Sequence, residues 1–169
     1  MPTNITRLKA IEMKKLNVFL TFCVIILAAA CFASIYGPER FRKEQIRREK
    51  TVKSYLVKIR TAEERYRRAA GVYTGSFEEL TSKGYLADSL QFIPFSGGKR
   101  FDITATTQTS KTGKAIPLME CCAPYREYLK GLDKMSIEQA TEDANLSGRY
   151  PGLKIGDINV PNDNAGNWE

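Results

Sequence analysis

Val52-Lys53-Ser54-Tyr55-Leu56-Val57-Lys58-Ile59-Arg60-Thr61-Ala62-Glu63-Glu64-Arg65-Tyr66-Arg67-Arg68-Ala69-Ala70-Gly71 is the stretch that decides how this chain folds. No Gly or Pro interrupts it before Gly71. Val52, Tyr55, Leu56, Ile59, Ala62, Tyr66, Ala69 and Ala70 recur at three- and four-residue spacings, which puts them on one stripe of a helix. Arg60, Glu63, Glu64, Arg67 and Arg68 are assigned to the other faces. A helix with one apolar stripe must cover it, and the segment that follows is the nearest partner. Gly71 ends the helix in the manner of a left-handed C-cap.

Toward the N-terminus the pattern changes twice. Residues 41–51 are nearly all charged, with Phe41 and Ile46 as the apolar exceptions. Over residues 39–70 there are twelve Lys/Arg against five Glu, net +7. Residues 71–169 carry ten Lys/Arg against thirteen Asp/Glu, net −3. The expected organisation is therefore a basic helical stalk (39–70) carrying a mildly acidic head (71–169). Arg40, Arg42, Lys43, Arg47 and Arg48 are expected to face lipid headgroups, at about 1 kcal/mol for each well-placed cation.

Before the stalk, Leu16 to Pro38 is an uncharged run of 23 residues in a chain that is 27% charged. About 20 apolar residues suffice to cross the roughly 30 Å hydrocarbon core of a bilayer as a helix. Residues 16–38 thus read as a transmembrane helix, joined to the stalk at a bend at Gly37-Pro38. Residues 1–15 form a short arm. Lys14 and Lys15 on one side, and Arg40, Arg42 and Lys43 on the other, suit the two interfaces. Two alternatives use the same residues. A start at Met13-Lys14-Lys15 would make the run a secretory signal. Ala28-Ala29-Ala30-Cys31 resembles a lipobox that would place a lipid on Cys31. The run continues through Phe32, Ala33, Ile35 and Tyr36 beyond that cysteine, which favours a retained anchor. Phe19, Phe22 and Ile26 in the span, and Val52, Leu56 and Ile59 on the stalk, are the candidate contacts with membrane or partner helices. Lipid-facing and intramolecular roles are the competing readings for the two sets.

Beyond Gly71, Ser76 and Glu79 have capping-box spacing for a short helix stopped by Gly84. Gly97-Gly98 is a turn. Residues 100–107 alternate, with Phe101, Ile103 and Ala105 on one face, as a half-buried strand does. Residues 115–122 read as the return strand of a hairpin, with Pro117 at an edge or start. Helical patterns follow from Pro124 and from Ser136 to Gly148. Residues 150–169 read as a loop that docks through Leu153, Ile155, Ile158 and Val160. Asn162-Asp163-Asn164 is taken as a turn rather than a calcium loop. The fold class expected is α+β: a membrane helix continuing into an amphipathic helix, packed on a small antiparallel sheet, with extra C-terminal helices and a loop.

The composition narrows the chemistry. The chain contains no His, which removes the usual general base and the commonest metal ligand. No phosphate-binding Gly loop or C-x-x-C motif is present. Cys121 and Cys122 are adjacent and are read as buried strand residues, with a redox or enzymatic role for the pair as the alternative. No catalytic residue, metal or cofactor is expected, and no nucleic-acid partner.

Residues 59–86 carry a resemblance. The helix ending Ala62-Glu63-Glu64-Arg65-Tyr66 leads into Gly71-Val72-Tyr73, then Phe77-Glu78-Glu79-Leu80, and exits at Lys83-Gly84-Tyr85-Leu86. This resembles the junction between the first helix and the following loop of type IV pilins and type II secretion pseudopilins. The order of parts is similar over about 110 residues: membrane helix, amphipathic continuation, small antiparallel sheet. The chain departs from that family before the span, where Met13-Lys14-Lys15-Leu16-Asn17-Val18 has neither the Gly-Phe cleavage junction nor the Glu that follows it. The resemblance implies a pilin-like, membrane-retained structural or accessory subunit of a bacterial envelope or secretion assembly, not an enzyme. It would act through protein–protein contacts, oligomeric or in a hetero-complex. The resemblance also implies an inner-membrane location with a periplasmic head, whereas the Lys/Arg count on the two sides of the span favours the head inside.

Overall fold

The computed structural model describes the backbone of residues 3–169 and the side chains of residues 16–32 and 39–169. The chain divides into two compact units, one reaching to Arg42 and one comprising Lys43–Glu169. Helix α1 spans Thr3–Ala70. It is followed by α2 (Phe77–Ser82), a 3-10 helix (Asp88–Gln91), β1 (Asp102–Thr109), β2 (Ala115–Pro124), α3 (Tyr125–Tyr128), α4 (Lys134–Leu146) and β3 (Gly152–Gly156). The class is α+β, as expected. The three strands form one antiparallel sheet in the order β1-β2-β3. The arm 1–15 and the Gly37-Pro38 junction lie outside the described side chains.

One side of the core of residues 43–169 is built where the amphipathic stripe predicts. Val52, Leu56 and Ile59 are fully buried, Ala62 and Tyr66 nearly so. Each of the larger aliphatic side chains contributes roughly 1.5–3 kcal/mol on burial. Met119, Cys121 and Ala123 on one face of β2 are fully buried, while Leu118 and Cys122 on its other face are nearly so. The stripe differs from expectation at three points, the first being Tyr55, which is only half-buried. The stripe ends at Tyr66, because Ala69 and Ala70 are exposed. It also includes Glu63, which is fully buried rather than solvent-facing.

The hairpin register runs from Asp102↔Cys122 to Thr109↔Ala115. Pro117 pairs with Thr107 in the part of β2 that lies outside the β3 pairing, where a missing N–H costs no ladder bond to a second strand. The expected C-terminal loop contains β3, which pairs from Glu120↔Gly156 to Pro124↔Gly152. At Gly156 (φ +69°) an added Cβ would lie 2.1 Å from the Met119 carbonyl oxygen, so the strand end approaches β2 too closely for any side chain. The chain then doubles back along the free edge of β3. Gly156 N donates to Ala165 O at 3.0 Å and Asn167 N to Lys154 O at 2.9 Å. That covers an edge that would otherwise be open to pairing. Leu153 and Ile155 dock as expected, but Val160 is 61% exposed. The start of α4 is also earlier than the Ser136 signal: Asp133 caps it by accepting from Ser136 N at 2.8 Å.

Among the described residues no helix is long and apolar enough to cross a membrane. The described side chains of the apolar run stop at Phe32, whereas the run in the sequence continues to Pro38.

Candidate functional site

Residues 16–32 of α1 present apolar side chains in all directions. Val18 (71% exposed), Phe22 (64%) and Leu27 (65%) stand for the set, and Phe19 and Ile26 are exposed with them. At 100° per residue these positions cover one half of the helix, and the equally exposed Leu20, Val24, Phe32 and Ile25 cover the other, so no continuous polar face remains. Thr21 satisfies its hydroxyl within the helix by donating to Asn17 O at 2.8 Å. Phe19, Phe22 and Ile26 therefore remain available to lipid or a partner helix. Val52, Leu56 and Ile59 do not. They are sealed in their own core, which replaces the expectation that they contact a partner.

The junction on which the resemblance rests is held by a buried carboxylate that the periodicity argument had put on the surface. Glu63 Oε2 accepts from Thr74 N at 3.0 Å and Oε1 from Gly75 N at 2.9 Å. Burial raises the Glu63 pKa above its ordinary 4.5, against the two N–H groups, which favour the ionised form. Gly75 is left-handed (φ +62°), and a Cβ there would lie 2.7 Å from Ala105 N. One carboxylate thus ties the end of the helix to the loop at the point where that loop touches β1. A second cluster sits one turn on. Glu79 Oε2 accepts from Tyr66 Oη at 2.6 Å and from Thr74 Oγ1 at 3.0 Å, with Lys83 Nζ at 3.6 Å. These hydrogen bonds, Tyr66 first, lower the Glu79 pKa. The C-terminus adds a third tie. Arg60 Nη1 donates to Asn164 O and to the Glu169 carboxylate, both at 3.1 Å, and Asn164 Nδ2 donates to Tyr73 Oη at 2.6 Å.

The basic stalk is not uniform. Arg40, Arg42 and Lys43 are exposed. Arg47 is 63% exposed and pairs with Glu44 at 2.6 Å. Arg48 is a correction to the headgroup-facing set: its side chain is 13% exposed. Its Nη1 donates to Tyr128 O at 3.0 Å and Lys130 O at 2.9 Å. The guanidinium also lies 4.9 Å from the Phe95 ring centroid. A planar five-donor group can satisfy two helix-end carbonyls and stack at once. The Arg47 and Arg48 hydrogen bonds hold Glu44 down at about 2.

Cys121 and Cys122 are buried, as the strand reading expects. Burial raises the Cys121 pKa well above its usual value and pushes Cys122 up to about 12, where Glu120 adds to the shift. Both thiols are therefore protonated near neutrality, and a nucleophile must be a thiolate. Among the described residues no group of three or more His, Cys, Asp or Glu could hold a metal ion. A cavity of about 720 Å³ lies between Lys99–Asp102, Arg126 and Tyr150. Its charges are mixed, and Arg100 is already bound to Glu78 at 2.6 Å.

No family model, curated protein or solved structure matches this chain.

Proposed function

We propose that this chain is a single-pass, membrane-anchored, pilin-like structural or accessory subunit of a bacterial envelope or secretion assembly, working through protein–protein contacts without catalysis. One observation carries the reading: residues 16–32 expose large apolar side chains on every face of a helix, while residues 43–169 have a complete core of their own. A helix apolar all round belongs in lipid or inside a larger assembly. The uncharged run of 23 residues would span about 35 Å at 1.5 Å per residue, enough for the hydrocarbon core. The resemblance over residues 59–86 supports the pilin-like part and a periplasmic head.

Alkaline carbonate extraction of membranes from cells making the full chain tests the anchor, with a photo-crosslinking residue at Phe22 or Ile26 to trap neighbours. Retention in the membrane, with crosslinks to lipid or to a helix of another subunit, is expected. Release by carbonate, or a mature N-terminus at Cys31 bearing diacylglycerol, would replace the reading. Orientation needs a reporter other than Cys121 and Cys122, the two thiols of residues 43–169, which are buried. A Thr112→Cys variant, exposed in the β1–β2 turn, should react with an impermeant maleimide on intact spheroplasts. Reaction only after lysis would place the head inside.

A further inference from the structure

The cavity of about 720 Å³ opens where the β1–β2 ladder stops. The last pair of that ladder is Asp102↔Cys122. The next register position would set Arg100 opposite Pro124, and both line the cavity. Pro124 has no N–H to give. On its other side Arg100 bridges Phe92, with Phe101 N donating to Gln91 O at 2.9 Å and Ile93 N to Lys99 O at 2.7 Å. In that antiparallel pattern the N–H and C=O of Arg100 itself point away from Phe92, toward β2. Neither takes part in a hydrogen bond among the described residues. The Arg100 guanidinium is engaged by Glu78 at 2.6 Å, so it is the main chain of this residue that is left open.

The walls carry matched charges. Lys99 and Asp102 stand on the strand side, Arg126 and Glu127 on the α3 side. Lys99 and Asp102 enter no ion pair among the described residues, and Arg126 reaches only its neighbour Glu127, at 3.8 Å. No ion pair among the described residues crosses the cavity. Ile93 and Phe101 are buried beneath it, and Tyr150 is half-buried at its side. The volume falls within the range of about 300–1,000 Å³ common for small-ligand sites.

We propose that this cavity binds a short peptide with both termini free. One peptide residue continues the broken ladder, donating its N–H to Arg100 O and accepting from Arg100 N, as strand addition does. The peptide carboxylate lies between Lys99 and Arg126, and its ammonium near Asp102 and Glu127. An apolar side chain covers Phe101 and Tyr150. A site with a free cation and a free carboxylate suits a zwitterion better than a simple anion or cation, since each ligand charge meets its opposite. The open N–H and C=O of Arg100 select a peptide among zwitterions, because an amide supplies both the donor and the acceptor that they need.

This inference rests on residues 91–151 and does not depend on the membrane-anchored, pilin-like reading; carbonate extraction tests that reading and peptide retention tests this one. The experiment is equilibrium dialysis of the purified full chain, in a mild detergent at low ionic strength, against a random-sequence tripeptide mixture read by mass spectrometry. Retention with a Kd of about 1 mM or tighter is expected. Acetylating the N-termini, amidating the C-termini or N-methylating the central amide of the mixture should each weaken it by about tenfold. Lys99→Gln/Arg126→Gln should bind the free and amidated mixtures alike. Asp102→Asn/Glu127→Gln should bind the free and acetylated mixtures alike. Each pair is exchanged for the other terminus only, a pattern that a folding defect would not give, and the denaturant midpoint checks that both variants remain folded. No retention at 1 mM peptide, or retention that ignores end-blocking, N-methylation or both pairs of substitutions, would overturn the inference.

Discussion

Residues 16–32 and residues 52–66 both lie in α1, and both are rich in Val, Leu, Ile and aromatic side chains. Their surroundings differ completely. In the first, the apolar residues surround the helix and are exposed. In the second, they occupy one stripe and are buried by the same chain's own sheet and loops. The distribution round the helix separates the two, rather than the apolar content. A stripe can be covered by one domain, whereas a helix apolar on all sides needs an environment that is itself apolar. The comparison also explains how Glu63 can sit in the buried stripe. The head offers it two N–H groups, and nothing comparable exists for a charge in residues 16–32.

Paired substitutions can break or sharpen that contrast. The largest effect belongs to Leu56→Asp, which buries an unpaired charge. It should cost more than about 4 kcal/mol and unfold residues 43–169 in a denaturant titration. Leu27→Asp should leave that unfolding midpoint unchanged but weaken membrane retention, since an acid near a span's centre costs about 3 kcal/mol of insertion free energy. Equal effects of both on the head would end the distinction.

Glu63→Ala comes next. It strands the Thr74 and Gly75 N–H groups, at about 1–3 kcal/mol for each lost partner. Glu63→Gln keeps the shape and one acceptor and should cost less. The pH dependence has a defined sign. The folded pKa of Glu63 is raised above 4.5, so its contribution is fully present below the unfolded value and is lost as pH rises through the folded one. Chemical denaturation across that range should show the wild type losing more stability with rising pH than Glu63→Gln.

Arg48→Ala should cost about 1–3 kcal/mol through the freed Tyr128 and Lys130 carbonyls, and Arg48→Lys should restore little, because an ammonium cannot span both and stack on Phe95. Arg42→Ala, at an exposed site, should change stability by less than about 0.5 kcal/mol. The smallest effect is chemical. At pH 8 the folded chain should leave Cys121 and Cys122 unmodified by iodoacetamide, and both should react in denaturant. Labelling of the folded chain at either would contradict their burial and raised pKa values.

Much of the head was legible in the sequence because its signals are local. The stripe from Val52, the Ser76 cap, the alternation from Phe101 to Ala105 and the turn at Gly97-Gly98 each depend on residues within a few positions of one another. β3 was not legible. Gly152-Leu153-Lys154-Ile155-Gly156 is five residues bracketed by turn formers, and it becomes a strand only because β2 supplies a free edge from thirty positions away. Asn164 shows the same limit: its sequence context reads as a solvated turn, and its role comes from Tyr73 and Arg60. For the candidate site, Phe19, Phe22 and Ile26 could be read from composition alone, whereas Arg48 could not be separated from its basic neighbours.

By itself, the sequence determined that residues 16–38 are uncharged and apolar, that an amphipathic helix leads into an α+β head, and that His-based chemistry is absent. Those conclusions follow from composition and period, which neighbouring residues set. Only the tertiary structure decided that Glu63 is a buried tie, that Arg48 turns inward while Arg42 does not, and that the C-terminal stretch completes the sheet. A charged side chain is placed by the partners that offset its desolvation, and those partners come from distant parts of the chain.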